Sequence, residues 1–196
     1  MMLKKESPLK AFNHHNLTNF NGITIQELQY TTKINLRGSL NDKIFVSNVR
    51  KVFITTLPSE ANTFVQLNNI RIIWLGPNEW LVAEENKEVN KRLFEKLHKV
   101  FGSSDASVTD ISENRTVVKI SGEKIFILLA KFLTLNLNKS FAKLATVAQT
   151  LFVKVPILLV RAYNDKQVPT FEIYVNRSQA NYIYRLLVDG ATNLDF

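Results

Sequence analysis

Residues 33–38 read KINLRG and residues 116–122 read TVVKISG. Each run is rich in apolar side chains and stops on a glycine, Gly38 or Gly122, and the two glycines are 84 positions apart. The segments after the glycines are also alike. NDKIFVSNVRKVF (41–53) spaces Ile44, Phe45, Val49, Val52 and Phe53 as a helix does, with Asn41 or Asp42 suited to its N-cap. EKIFILLAKF (123–132) is a shorter apolar helix.

The parallel continues along both halves. After the breaker Leu57-Pro58 come three strand-like runs: NTFVQL (62–67), IRIIWLG (70–76) and EWLVAEE (79–85). An Asn68-Asn69 turn joins the first two. KEVNKRLFEKLHKVFG (87–102) then places Val89, Leu93, Leu97, Val100 and Phe101 on one helical face, with Gly102 as a C-cap. In the second half the strands are AQTLFVKV (148–155), PILLVRAY (156–163) and, after the loop NDKQVP, TFEIYV (170–175). The helix SQANYIYRLLVDG (178–190) comes next, capped by Ser178 and ended by Gly190. Each half also has a leading strand, ITIQELQY (23–30) or SVTDIS (107–112).

Both halves therefore read β-β-α-β-β-β-α. Links inside the strand triplets are too short for parallel crossovers, so the sheets are antiparallel and helices cover their faces. The expected fold class is α+β, an internal duplication of β2-α-β3-α units. The expected organisation is a single domain over 1–196 with halves at about 22–104 and 105–196, behind an N-terminal extension 1–21.

A chain of 196 residues buries roughly 70% of the surface exposed when unfolded. Cysteine is absent, which removes disulfides, thiolate metal sites and cysteine nucleophiles. Lys4 and Lys5 near the start are not followed by an apolar stretch of the secretory kind. No apolar run reaches the length of a membrane span. The expectation is a cytoplasmic protein with no membrane partner. The formal charge of +8 comes with scattered lysines and neither an Arg-rich tract nor an RNA-recognition strand motif. Composition explains it without a nucleic-acid partner.

The search for chemistry is largely negative. Gly residues number six and never form G-x-G, so neither a dinucleotide fingerprint nor a P-loop is present. His14, His15 and His98 form no metal-ligand pattern. No serine sits in a G-x-S-x-G elbow. Glu79, in the Gly76–Trp80 turn, has no second titratable partner in sequence and reads as a turn residue. Arg115, a charge entering a strand, suits either a contact surface or an edge device against aggregation. No catalytic, cofactor-binding or metal-binding residue is assigned.

Three stretches carry a family resemblance: WLGPNEWLV (74–82), VTDISENRTVVKISGEKIFILLAKFLTLNL (108–137) and RSQANYIYRLLVDGA (177–191). The motifs are Leu75–Trp80, Asp110–Ser112 with Arg115 and Ser121-Gly122, and Arg177-Ser178 with Ala180; Glu6-Ser7-Pro8-Leu9 fits as well. In these the chain resembles the gamma subunit of heterotetrameric sarcosine oxidase. The resemblance implies a fold similar to the folate-binding domain of the glycine-cleavage aminomethyltransferase. It implies a non-catalytic subunit that supports assembly with alpha, beta and delta subunits. It further implies FAD, FMN, NAD and zinc in those partners, none in this chain, and tetrahydrofolate as co-substrate of the complex. The alternative is a stand-alone folate-binding one-carbon transfer or repair protein of the same fold. Trp74, Trp80, Arg115, Arg177, Tyr182 and Tyr184 are the expected subunit-interface residues.

Overall fold

A computed structural model of the protein describes residues 6–10, 18–28, 31–86, 91–102, 104–142, 146–161 and 168–194. Its strands form two sheets. The first runs β1 (Thr18–Phe20), β2 (Ile23–Leu28), β8 (Arg115–Ser121), β11 (Thr170–Asn176), β10 (Val155–Arg161), β9 (Thr146–Phe152). The second runs β4 (Phe64–Leu67), β5 (Ile70–Gly76), β6 (Glu79–Glu84), β3 (Thr32–Arg37), β7 (Ser107–Asp110). All the pairings are antiparallel, as the short links require.

Sheet membership crosses chain order. β2 opens the first half of the sequence yet hydrogen-bonds to β8, and β7 opens the second half yet pairs with β3. The chain accordingly divides into two compact units, residues 1–29 with 114–196, and residues 30–113. The alternation of β2 sets its facing: Ile23 and Ile25 point into the same core as Val118 and Ile120 of β8.

In the first unit, α3 (Ile125–Ala130), α4 (Leu137–Ser140) and α5 (Ala180–Thr192) accompany the sheet. Leu128, Leu137, Ile183 and Leu187 close on Ile23, Ile25, Ile157, Leu159, Phe171 and Ile173. Phe132 stacks on Phe152 at 4.7 Å, and Phe141 meets Phe171 edge-on at 5.2 Å, the offset geometries that rings favour. In the second unit, α1 (Lys43–Phe53) and α2 (Arg92–Phe101) share a core with one sheet face, where Phe45, Val49, Leu97 and Phe101 meet Ile34, Leu36, Ile72, Trp80 and Val82. Asp42 is the N-cap of α1; its carboxylate accepts from the Ile44 amide at 2.8 Å, satisfying an amide the helix leaves open.

Several helix ends differ from the sequence expectation. Ser178 is not a helix cap: it lies in a 3₁₀ turn, Arg177–Gln179, and α5 begins at Ala180 with no side-chain cap. Gly190 does not end α5, which runs on to Thr192. Its missing side chain serves packing, since a Cβ there would lie 2.7 Å from the Phe132 ring. Gly102 is the C-cap of α2, as the sequence suggests, but in a right-handed conformation, φ −59°, and not the left-handed turn that favours glycine. The helix expected over 87–101 is seen as α2 from Arg92; Val89 and its neighbours 87–90 lie outside the described residues. His14, His15 and most of the 164–169 loop also lie outside them. The short elements β1 and α4 carry too few residues to show a period.

Candidate functional site

In the first unit, three motifs that are remote in sequence meet at one corner of the sheet. Arg115, the first residue of β8, is the direct cross-strand partner of Asn176, the last of β11. Past that pair the chain bends, and the Arg177 amide donates to the Asn114 carbonyl at 2.9 Å. The segment around Glu6–Lys10 arrives at the same corner. Pro8 joins Asn114, Asn176, Arg177 and Ser178 in lining an open cleft of about 670 Å³.

That N-terminal segment is fastened from several directions. Leu9 is wholly buried in the core of the unit. The Ser7 hydroxyl donates to Glu27 Oε2 and accepts from the Leu9 amide at 3.0 Å. Thr116 Oγ1 donates to Glu27 Oε1 at 2.6 Å. The Arg177 guanidinium donates to the Glu6 carbonyl. Lys10 pairs with Glu6 at 2.7 Å, an exposed i, i+4 contact of small energetic weight. Glu27 itself is buried, and a buried carboxylate needs hydrogen-bond donors. Its two oxygens each take a hydroxyl, so its chemistry here is that of an anchor.

The expected interface residues fall in different settings. Arg115 and Arg177 come together at the cleft corner, Arg115 half-buried and Arg177 on the rim of the cleft. Tyr182 and Tyr184 are separated by the turn of α5: Tyr182 is 48% exposed and Tyr184 only 2%. Trp74 and Trp80 are direct partners across β5 and β6, and both pack against the core of the second unit. Trp80 is fully buried, stacked 5.9 Å from Phe45, with its indole Nε1 donating to the Pro58 carbonyl at 2.8 Å. Trp74 is half-buried. Of the six, then, Trp80 is wholly buried and Tyr184 nearly so.

Other motif residues act as staples within the second unit. Glu79 Oε1 accepts from Asn35 Nδ2 at 2.6 Å, tying β6 to β3. The Ser112 amide donates to Asp110 Oδ1 at 2.9 Å, and the Ser112 hydroxyl accepts from the Lys33 amide at 3.0 Å. Sequence reasoning missed Glu27 and Thr116. A signal existed: in ITIQEL, Glu27 occupies the inward position after Ile23 and Ile25, a carboxylate on an apolar face. Among the described residues no group of three His, Asp or Glu side chains is placed to hold a metal ion, and no helix is long and apolar enough to cross a membrane.

Comparison with known proteins shows the family. Residues 37–193 match the sarcosine oxidase gamma subunit family. The sarcosine oxidase subunit gamma of Corynebacterium sp. (strain U-96) is 24% identical over 139 residues, which cover 71% of this chain and 66% of that protein. The counterpart from Corynebacterium sp. (strain P-1) is 26% identical over 141 residues, covering 71% and 67%. The matched region thus spans about two thirds of the length of these relatives. In three dimensions the chain is similar to one in the heterotetrameric sarcosine oxidase from Corynebacterium sp. U-96 in complex with pyrrole 2-carboxylate, with a TM-score of 0.81, 22% identity, and coverage of 96% and 95%. It is also similar to the glycine cleavage system aminomethyltransferase T from Bartonella henselae, with a TM-score of 0.63 at 13% identity, covering 92% of this chain and 48% of that one. At these identities the two structures establish the α+β fold and its likeness to the aminomethyltransferase.

Proposed function

Because the chain belongs to the sarcosine oxidase gamma subunit family, we propose that it is a non-catalytic subunit supporting assembly of a heterotetrameric sarcosine oxidase. The observation that carries this reading is the family match over residues 37–193. The site geometry agrees with it. The polar motif residues Ser7, Glu79, Asp110 and Ser112, with Glu27 as the partner of Ser7, fasten strands and a terminal segment. In the proposed assembly the alpha, beta and delta subunits hold FAD, FMN, NAD and zinc. The whole complex demethylates sarcosine oxidatively to glycine, reduces oxygen to hydrogen peroxide and passes the one-carbon unit to tetrahydrofolate, in the cytoplasm.

Co-expression with the neighbouring genes and purification through this chain tests the proposal. A yellow complex with two larger chains and a small one is the expected result. A purified chain that alone oxidised sarcosine or bound flavin would overturn it.

The likeness to the aminomethyltransferase, at a TM-score of 0.63, favours a second reading: a stand-alone folate-binding one-carbon protein. Titration of the isolated chain with tetrahydrofolate separates the two. Ligand held only by the folded chain raises its melting temperature, and no shift leaves the subunit reading in place.

A further inference from the structure

The outer face of α1 is built unlike a surface that only meets water. At about 100° per residue, Lys43, Ile44, Ser47, Arg50 and Lys51 fall within an arc of about 120°, opposite the buried Phe45, Val49 and Val52. Ile44 is 64% exposed on this face. The helix contains three cations and no acid. Leu40, Lys43, Val46, Ser47, Arg50 and Lys51 line a shallow groove of about 550 Å³ along it. α2, in the same unit, adds Arg92, Lys96 and Lys99 against a single acid, Glu95.

The end of α1 supplies an independent observation. Ile54 is its C-cap, at φ 56°, ψ 24°, with its amide donating to the Arg50 carbonyl at 3.0 Å. That left-handed position favours glycine, and a β-branched residue there is a strained choice. The side chain gains no packing in return, being 93% exposed. Val153 shares the left-handed backbone and exposure, so it is the cations beside Ile54 that give its strain a functional reading.

We propose that this face, Ile44 and Ile54 flanked by Lys43, Arg50 and Lys51, is where a partner subunit docks, through an apolar patch rimmed with Asp and Glu. The proposal rests on the subunit reading above. The interleaving of isoleucine with cations fits a protein surface, whose centre is desolvated and whose rim is charged. A surface for single-stranded nucleic acid would instead align cations with aromatic stacking platforms, and α1 exposes no aromatic ring.

The test uses the full chain co-expressed with its partner subunits, as wild type, Ile54→Gly and the double variant Arg50→Glu/Lys51→Glu. Ile54→Gly relieves the cap, so the melting temperature of the full chain stays level or rises, while recovery of partner subunits falls about tenfold, as for loss of an interface hot spot. The charge-reversed variant loses recovery and the salt sensitivity of what assembles. Wild-type recovery by both variants overturns the docking face and leaves the subunit reading intact. No recovery by wild type removes the subunit reading itself. If Ile54→Gly lowers melting temperature and recovery together, Ile54 acts through folding and the proposal fails. It also fails if charge reversal removes only co-purifying RNA while Ile54→Gly assembles normally.

Discussion

The indole Nε1 of Trp80 reaches out of the β5–β6 hairpin to the Pro58 carbonyl, 2.8 Å away and buried with it. One side chain thus closes the loop after α1 onto the sheet while its ring stacks on Phe45. Trp80→Phe keeps an aromatic ring and removes the donor. A buried carbonyl left without its partner costs about 1–3 kcal/mol. Trp80→Ala also opens a cavity, at about 3–5 kcal/mol. Urea unfolding of the two variants should rank them in that order. A loss for Trp80→Phe of the same size as for Trp80→Ala would show that the hydrogen bond, not the ring volume, dominates.

Gly38 follows β3 and lies against the ring of Phe45: a Cβ there would stand 2.2 Å from Phe45 Cε2, and Phe45 is fully buried and cannot swing away. Gly38→Ala should therefore destabilise the fold by about 1–3 kcal/mol, the range for overpacking a filled core. Adding Phe45→Leu should return part of that loss, so the double variant is less destabilised than the sum of the singles. Strict additivity in chemical denaturation would mean that the clash is relieved elsewhere.

The Ser7–Glu27–Thr116 cluster makes a sharper local claim. Ser7→Ala removes one donor from a buried carboxylate, at about 1–3 kcal/mol, and frees one end of the Glu6–Lys10 segment. The effect should concentrate there. Hydrogen exchange at Leu9 and Lys10, whose amides bond to Ser7, should accelerate more than exchange in β10 or β11. Uniform acceleration across the unit would show that the segment unfolds only with the whole.

The order of elements was legible because their signals are periodic. Alternating strands and apolar helix faces fixed most elements, and short links fixed the antiparallel pairing. Which sheet took β2 and β7 was not legible, because strand alternation says which face is apolar and not which edge accepts the strand. Ser178 misled for a related reason: serine serves helix caps and short turns alike, and here it sits in a 3₁₀ turn. At the candidate site, Arg115 and Arg177 were singled out, but their meeting through Asn176 and Asn114 depends on register. The turn between Trp74 and Trp80 breaks strand alternation, so their shared face depends on register: a bulge between Trp74 and Gly76 sets them opposite each other.

Gly190 turns a general rule around. Inside an exposed helix, glycine to alanine stabilises by about 1 kcal/mol through backbone entropy and propensity. α5 holds Gly190 against α3 and the residues after it, where a Cβ would lie 2.7 Å from the Phe132 ring and 2.8 Å from Leu128 Cδ1. Both neighbours belong to the packed core, Phe132 through its stack on Phe152. The overpacking cost of about 1–3 kcal/mol then outweighs the propensity gain. Gly190→Ala should lower the melting temperature, and Gly190→Ala with Phe132→Leu should recover most of it. A rise in melting temperature for the single variant would mean that the Phe132 ring gives way to the added methyl at no cost to its stack on Phe152.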